Sequence, residues 1–419
     1  MKRTVIASFA AVVIGCGTIT LAAPVNAVAS GSAATQSSPV AGAIMVKFRD
    51  NGSAAGVLRQ QGLTEGPGIG STGAQLVKVP AGREAQVLEG LSRNPAVEYA
   101  EPDEAVTAAS SDEYFPRQYA LQNIGQQFTN TAGTLAVAGG TADADVDAVE
   151  AWNVTTGSGI KVAVLDSGVA SDNADITPKV VARANFTNGK NGEDNYGHGT
   201  HVAGIVAATA NNSVGVSGVC PGCTILDGKV LNDSGVGSSS SLANGINWAV
   251  NNGAKVINMS LGVRASRTLE TAVNNAWSKG VVLVAAAGNG NNQAKIYPGA
   301  YPNVIAVAAT DNTDAKAAFS TYGASWVDVA APGVNIYSTF PNHTFVLGTQ
   351  NNRSFGYDVG NGTSMSSPIV AATAALAWSS HAGATNTSVR ANIETTADKI
   401  SGTGTNWAHG RVNANNAVR

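Results

Sequence analysis

The sequence predicts an α/β fold: a doubly wound, mostly parallel central sheet with helices on both faces, preceded by a small α+β domain. Three observations predict it. First, IKVAVLD (Ile160 to Asp166), AKVINMSL (Ala254 to Leu261), VVLVAAAGN and NVIAVAAT are short runs of Val, Ile, Leu and Ala, apolar on both faces as strands covered by helices must be. Second, segments of helical length, HVAGIVAATAN, SSSLANGINWAVNN, RTLETAVNNAWSKG and SPIVAATAALAWSSH, alternate with or follow those runs, the pattern that builds a doubly wound sheet. Third, residues 43–106 read by themselves as strand, helix, strand, helix, strand through AIMVKF, SAAGVLRQQG, GAQLVKV, EAQVLEGLSRN and VEYAEPDEAV. A unit of that size is too small and too rich in glycine to be strongly stable alone.

The first 29 residues address the chain for export. Lys2 and Arg3 precede the apolar run TVIASFAAVVIG, and AVA at Ala27 to Ala29 is a small-x-small cleavage signal. Gly15, Gly17 and Thr18 break the apolar run, which is too short for a permanent membrane span. VIGC at Val13 to Cys16 loosely resembles a lipoprotein cleavage box, so a lipid-anchored precursor is the alternative to a freely secreted, extracellular protein. The expected layout is a signal peptide at 1–29, a Ser/Ala/Gly spacer at 30–42, the small domain at 43–108, and the large domain from 109 to 419, with the boundary in the polar linker AASSD (Ala108 to Asp112).

Charged residues make up 13% of the 419, about half the usual ~25%, and the net charge is −3. With no Lys/Arg cluster to neutralise a run of phosphates, the composition argues against a nucleic-acid partner.

Chemistry concentrates where the predicted strands end, since ligands of such folds bind beyond the C-terminal strand ends. Asp166 closes the run IKVAVLD, although an Asp there also suits a plain turn. His198 stands between two glycines in DNYGHGTHVAGIVAA, ahead of an apolar helix, with an ordinary pKa near neutrality. His201 makes an HxxH pair with it, but the pair lacks the spacing and the Glu of a zinc peptidase motif, and His201 reads as structural. Ser364 lies in GNGTSMSSPIVAATAAL at a helix start, a position that by itself suits a helix cap. Gly362 permits close approach of a substrate, Pro368 suits a first helical turn, and free N–H groups there favour negative charge. A serine hydroxyl becomes nucleophilic when an imidazole takes its proton and a carboxylate orients that imidazole. Asn289 follows a strand where its amide can donate to an oxyanion.

The segments VAVLDSGV, YGHGTHVAG, AAAGN and GTSMSSP, in this order, resemble the signature segments of the subtilisin-like serine peptidases, the subtilases. The resemblance covers residues 43–419 and is closest to thermitase-like and bacterial extracellular members. It implies a subtilisin-like fold and a serine endopeptidase acting through an acyl-enzyme. Asp166 would be the orienting acid, His198 the general base and then acid, Ser364 the nucleophile, and Asn289 an oxyanion donor beside the Ser364 amide. Two departures stand out: Ser366 replaces a usual alanine, and in DNYGHGT the acidic residue stands farther from Gly-His than is common. Neither removes a reacting group.

The same resemblance places substrate between Ser260, Leu261 and Gly262 on one side and Gly235, Val236 and Gly237 on the other, both pairing with an extended peptide. The first pocket would lie between Ser260 to Gly262 and Ala286, Ala287 and Gly288. No acidic residue follows Asn289 before Lys295, so an apolar or broad P1 preference is expected. TANNSVGVSGV resembles the family's cation loop, implying structural Ca²⁺ held by Ala210, Asn212, Val214 and Val216, with Asp175 and Asp112 adding carboxylates. Cys220 and Cys223 in CPGC follow that loop; a short local disulfide is preferred over free thiols or a redox pair. The small domain resembles the family's inhibitory propeptide, an intramolecular partner removed by self-cleavage between Ala105 and Ser111, leaving a monomeric enzyme. Gly125 to Asp145 is a glycine-rich insertion with no role legible in the sequence. A narrow processing peptidase, or an inactive relative that binds extracellular proteins, are the other functions that fit.

Overall fold

The computed structural model describes residues 39–80, 82–104, 110–189 and 191–419. The expected signal segment, Cys16, most of the spacer and residues 105–109 of the cleavage window lie outside the described residues.

The small domain consists of β1 (Pro39–Phe48), α1 (Ala54–Gln60), β2 (Ala74–Lys78), α2 (Glu84–Ser92) and β3 (Val97–Glu104), the order expected. Its strands pair antiparallel in the order β2-β1-β3. Alternate residues Ile44, Val46 and Phe48 of β1 point into a core with Leu58, Val77, Val87 and Leu91, a period-two pattern that leaves the other face open. β1 begins earlier than expected, inside the assigned spacer: after a bulge at Gly42 (φ 77°), Pro39 pairs with Glu104, so the last residue of β3 recruits four spacer residues.

In the large domain the insertion at 125–145 forms a short hairpin, β4 (Phe128–Thr129) and β5 (Ala136–Val137), followed by α3 (Ala148–Trp152). The central sheet comprises β6 (Lys161–Asp166), β7 (Val180–Asn185), β8 (Thr224–Lys229), β9 (Val256–Met259), β10 (Val282–Ala286), β11 (Ile305–Thr310) and β12 (Val329–Pro332). All neighbours pair parallel, in the order β12-β11-β10-β9-β6-β8-β7. The helices are α4 (His198–Ala207), α5 (Ser239–Asn251), α6 (Arg267–Ser278), α7 (Val346–Asn351), α8 (Thr363–Ser380), α9 (Asn386–Thr395) and α10 (Ala414–Ala417). A hairpin of β13 (Ile336–Thr339) and β14 (Tyr357–Gly360) flanks α4.

Alternation along the strands divides the core. Val162, Val164, Val282 and Val284 face a cluster with α4 and α8. Ala163, Leu165, Leu283 and Ala285 face a second cluster with Leu242 and Ile246 of α5 and Leu269 and Val273 of α6. Strands sandwiched in this way explain the unbroken apolar runs. The chain runs β6, β7, β8 to one side, then crosses to β9 on the other side of β6. That reversal opens a crevice beyond the ends of β6 and β9, where Asp166 and Ser260 stand.

Cys220 and Cys223 form a disulfide with their Cα atoms 5.4 Å apart. Its turn is pinned by Gly222 N donating to Thr156 O at 2.7 Å, and Gly157 packs so tightly on the sulfurs that a Cβ there would collide. Among the described residues no helix is long and apolar enough to cross a membrane.

Leu283 is completely buried where the second cluster meets the sheet. Leu283→Ala should lower stability by about 2–5 kcal/mol, read from urea unfolding; an unchanged midpoint would show that this layer does not hold the sheet.

Candidate active site

Asp166 ends β6 with no exposure. Its Oδ1 accepts from Ser167 N at 2.7 Å and lies 2.7 Å from His198 Nδ1. Its Oδ2 has no partner among the described residues. His198 opens α4 directly after Gly197, whose φ of 96° suits glycine and whose absent Cβ leaves room for the Phe345 ring.

The start of α4 is held by a carboxylate whose role sequence reasoning missed. Asp194, fully buried, accepts from Gly197 N (2.8 Å), Thr200 N (2.9 Å), Thr200 Oγ1 (2.6 Å), Tyr196 N (3.2 Å) and Ser167 Oγ (2.8 Å). It satisfies otherwise orphaned amides of the first turn and ties the residue after Asp166 to the helix that carries His198. The available signal was the Asp placed three residues before a glycine that precedes an apolar helix. Burial alone would lower the His198 pKa, but the charge and hydrogen bond of Asp166, helped by the charge of Asp194, hold it above its ordinary value. His201 is different: burial first, then the charge of His198, push it down to about 3. It stays neutral, its Nε2 3.3 Å from Asp358 O and its ring packed on Phe340.

Ser364 is the second residue of α8, which Gly362 (φ 145°) precedes. It is therefore not the helix cap. Pro368 lies inside the helix, beyond the first turn expected for it. There its missing N–H leaves the carbonyl of Ser364 without a helical donor. Ser260 Oγ donates to that carbonyl at 2.8 Å instead. Behind it, Asn258 Nδ2 donates to Ser260 Oγ (3.0 Å) and Ser367 Oγ donates to Asn258 Oδ1 (2.6 Å), all among buried residues. The Ser364 hydroxyl donates to Ser260 O at 3.2 Å. It shares a cavity with His198.

Asn289 borders the same cavity. Its Oδ1 accepts from Thr363 N (2.9 Å) and Thr363 Oγ1 (3.1 Å), fixing the amide so that Nδ2 remains for a ligand. Lys229, completely buried beside Asp166 in the register of β8, donates to Ser167 O (2.6 Å) and Asp233 Oδ1 (2.9 Å).

Ser260, Leu261 and Gly262 face Gly235, Val236 and Gly237 across a cavity of about 340 Å³ that reaches His198. A more open depression of about 750 Å³ runs from Gly262 to Gly288, Asn289 and Gly290. Its charged lining residues are Arg264 and Lys295. Ala286 and Ala287 are buried and do not line it.

In the expected cation site, Asn212 of the loop links the two carboxylates. Asp112 accepts from the amides of Asn211 (3.0 Å) and Asn212 (2.9 Å). Asp175 accepts from Asn212 Nδ2 (2.9 Å) and Val216 N (2.9 Å). Burial, reinforced by the charge of Asp112, pushes Asp175 up to about 6 against the hydrogen bonds it accepts. Ala210 and Val214 belong to the same loop, turned by the positive φ of Asn211, Ser213 and Gly215. Among the described residues no three His, Cys, Asp or Glu side chains converge, so any cation there must draw mainly on neutral oxygens.

Comparison with known proteins agrees with this geometry. Residues 157–413 match the subtilase family, and residues 26–103 match the fervidolysin N-terminal prodomain. Thermitase of Thermoactinomyces vulgaris is 50% identical over 276 residues, covering 65% of this chain and 94% of that protein. A thermophilic serine proteinase of Bacillus sp. (strain AK1) is 41% identical over 388 residues, covering 90% of this chain and 88% of that protein. A solved protease of Pseudoalteromonas arctica superposes with a TM-score of 0.63 at 29% identity, covering 74% of this chain and 99% of its own. With a serine, an imidazole and a buried carboxylate gathered at the switch point of the sheet, and with these matches, the chain belongs to the subtilase family of serine endopeptidases.

Proposed function

We propose that this secreted endopeptidase cleaves proteins and peptides with Ser364 as nucleophile, His198 as general base and then acid, and Asp166 as the group that orients His198. The observation that carries the reading is the 2.7 Å contact between His198 Nδ1 and a buried Asp166. It leaves Nε2 as the basic nitrogen on the side of the cavity that holds Ser364. Ser364 Oγ attacks the substrate carbonyl while its proton passes to Nε2; the imidazolium then gives that proton to the leaving amine, and water repeats the sequence to release the acid. The free Nδ2 of Asn289 and the Ser364 amide donate to the oxyanion.

The acyl side of the substrate lies between Ser260 to Gly262 and Gly235 to Gly237. The open depression beyond Gly262 takes the residue before the scissile bond. With Arg264 and Lys295 as its charges, it disfavours Arg and Lys and accepts apolar side chains broadly. The small domain serves as propeptide inhibitor. Ser110 and Ser111 bond to the rest of the large domain, through Asp112 and Ser217 and through Asn211 respectively, which favours cleavage within 105–110. The disulfide fits an oxidising, extracellular setting.

Treatment with a serine-reactive phosphonate should label the processed protein once and stop hydrolysis of denatured casein. Ser364→Ala should abolish both, whereas Asn289→Ala should keep substrate binding and lose kcat by about 100- to 1000-fold, the range measured for such a donor in subtilisin itself. Labelling that survives Ser364→Ala would refute the assignment.

A calcium ion at the cation loop would be held by Asp112 and Asp175, by the main-chain carbonyls of Ala210, Val214 and Val216, and by the amide oxygen of Asn212, whose Nδ2 faces Asp175 in this structure. When bound, the ion supplies positive charge that offsets the buried carboxylates. Folded Asp175 keeps its proton up to about pH 6, whereas an unfolded carboxyl releases it near about pH 4. Its contribution therefore favours the folded, calcium-free protein at low pH and is lost as pH rises from about 4 to 6. Added Ca²⁺ should raise Tm at neutral pH, do so far less at pH 4.5, and lose much of its effect in Asp175→Asn. A Tm indifferent to chelator, in protein that carries no calcium, would remove the site.

A further inference from the structure

The cavity that His198 shares with Ser364 has a wall built by the segment between β13 and β14. On one side of Ser364 lie the acyl-side segments, Ser260 to Gly262 and Gly235 to Gly237. On the other lies a cavity of about 300 Å³ walled by Ser364, His198 and Asn289 together with Leu347, Asn351 and Arg353. A peptide seated along Ser260 to Gly262 with its carbonyl at Ser364 must continue into this second cavity. Its walls therefore meet the residues released with the amine.

The wall is fixed to the scaffold. Phe345 is buried and stacks on Phe340 with ring centroids 5.0 Å apart. Val346 N and Leu347 N donate to Asn195 O (3.0 Å) and Tyr196 O (3.1 Å), the residues that lead into His198. α7 then ends at Asn352 (φ 52°), and Arg353 N turns back to Gly348 O at 3.0 Å. This places the half-buried Arg353 on the cavity wall.

Arg353 is the permanent charge of that wall. Among the described residues lining the cavity there is no Asp or Glu. Among the described residues no carboxylate forms a salt bridge with its guanidinium. Asp358, close in sequence, is engaged elsewhere, accepting from Val359 N (2.8 Å), Ser354 N (2.9 Å) and Asn130 Nδ2 (3.4 Å). The charge of Arg353 is felt across the cavity, where it adds to the burial and the His198 charge that keep His201 neutral. A guanidinium offers a planar fork of donors matched to a carboxylate. Here, among the described residues, that fork meets no carboxylate beside the reacting serine.

We propose that Arg353 gives the enzyme a preference for a carboxylate on the leaving fragment, within two residues after the scissile bond. The inference rests on Ser364 being the nucleophile. Either an Asp or Glu side chain or the terminal carboxylate of a short substrate supplies the same chemistry.

Internally quenched peptides with one fixed acyl half test it. Their leaving halves carry Ala-Ala, Glu-Ala, Ala-Glu or Lys-Ala with amidated ends, or Ala-Ala with a free terminal carboxylate. The amidated Glu peptides report the side chain and the free Ala-Ala peptide the terminus. At low ionic strength at least one carboxylate peptide should exceed the amidated Ala-Ala peptide in kcat/KM by about two- to fivefold, the scale of a partly exposed ion pair. The Lys peptide should fall below it. Salt should shrink the ratios. Arg353→Lys should keep the preference, Arg353→Gln should bring the ratios near one, and Arg353→Glu should favour the Lys peptide. Wild-type ratios near one, or a preference that survives Arg353→Gln, would overturn the proposal. If the variants do not fold, the salt dependence of the wild-type ratios decides. Loss of amidated Ala-Ala cleavage in Ser364→Ala tests the nucleophile separately, so failure of one reading is not mistaken for failure of the other.

Discussion

A carboxylate with no access to water governs the architecture of this site. Asp166 is sealed at the end of β6, where an isolated charge would be costly, and its Oδ1 finds one backbone amide and one imidazole nitrogen. The imidazole can serve only if α4 starts at the right place. Asp194 sets that start by gathering the first amides of the helix and, through Ser167, gripping the residue beside Asp166. Two buried carboxylates thus divide the work: one holds the imidazole, the other holds the helix that delivers it. The covered Lys229 binds Ser167 O at the same junction and supplies opposite charge.

The nucleophile is fixed by a comparable exchange of hydrogen bonds. Pro368 withdraws an N–H from α8, and the carbonyl of Ser364 turns to Ser260 Oγ, which leans on Asn258 and Ser367. The strand that would hold substrate and the helix that carries the serine therefore share one buried polar chain. Asn289 adds a second link through Thr363. A substrate pairing with Ser260 to Gly262 is in this way registered against Ser364 by covalent neighbours and hydrogen bonds, which is the positioning that acyl transfer needs.

Much of this was legible in the sequence because the signals are local. Unbroken apolar runs announce covered strands, and the strand, helix, strand, helix, strand order of the small domain follows from short-range periodicity alone. Asp166, His198, Ser364 and Asn289 each stand at an element boundary that punctuation by glycine or polarity marks. What escaped depends on distant partners. β1 extends back to Pro39 because Glu104 pairs with it. The place of Pro368 inside α8 is tolerated because Ser260, 104 residues before Ser364, satisfies the carbonyl it strands. Asp194 looked like an acidic residue displaced from its usual spot, whereas its meaning lies in the amides folded around it. The insertion at 125–145 was silent for the same reason: Phe128 packs edge-on against Tyr337 and Asn130 reaches Asp358, contacts with no local sequence trace.

Whether buried Asp166 holds His198 in a basic, oriented form is read by NMR titration of the His198 ring in Ser364→Ala protein freed of its small domain by an added protease, since this variant neither processes nor digests itself. The ring should show a strongly downfield Nδ1 proton and titrate above about 6.5, both altered in Asp166→Asn, with the apparent pKa falling. An imidazole titrating at or below its ordinary value, and indifferent to Asp166→Asn, would contradict it.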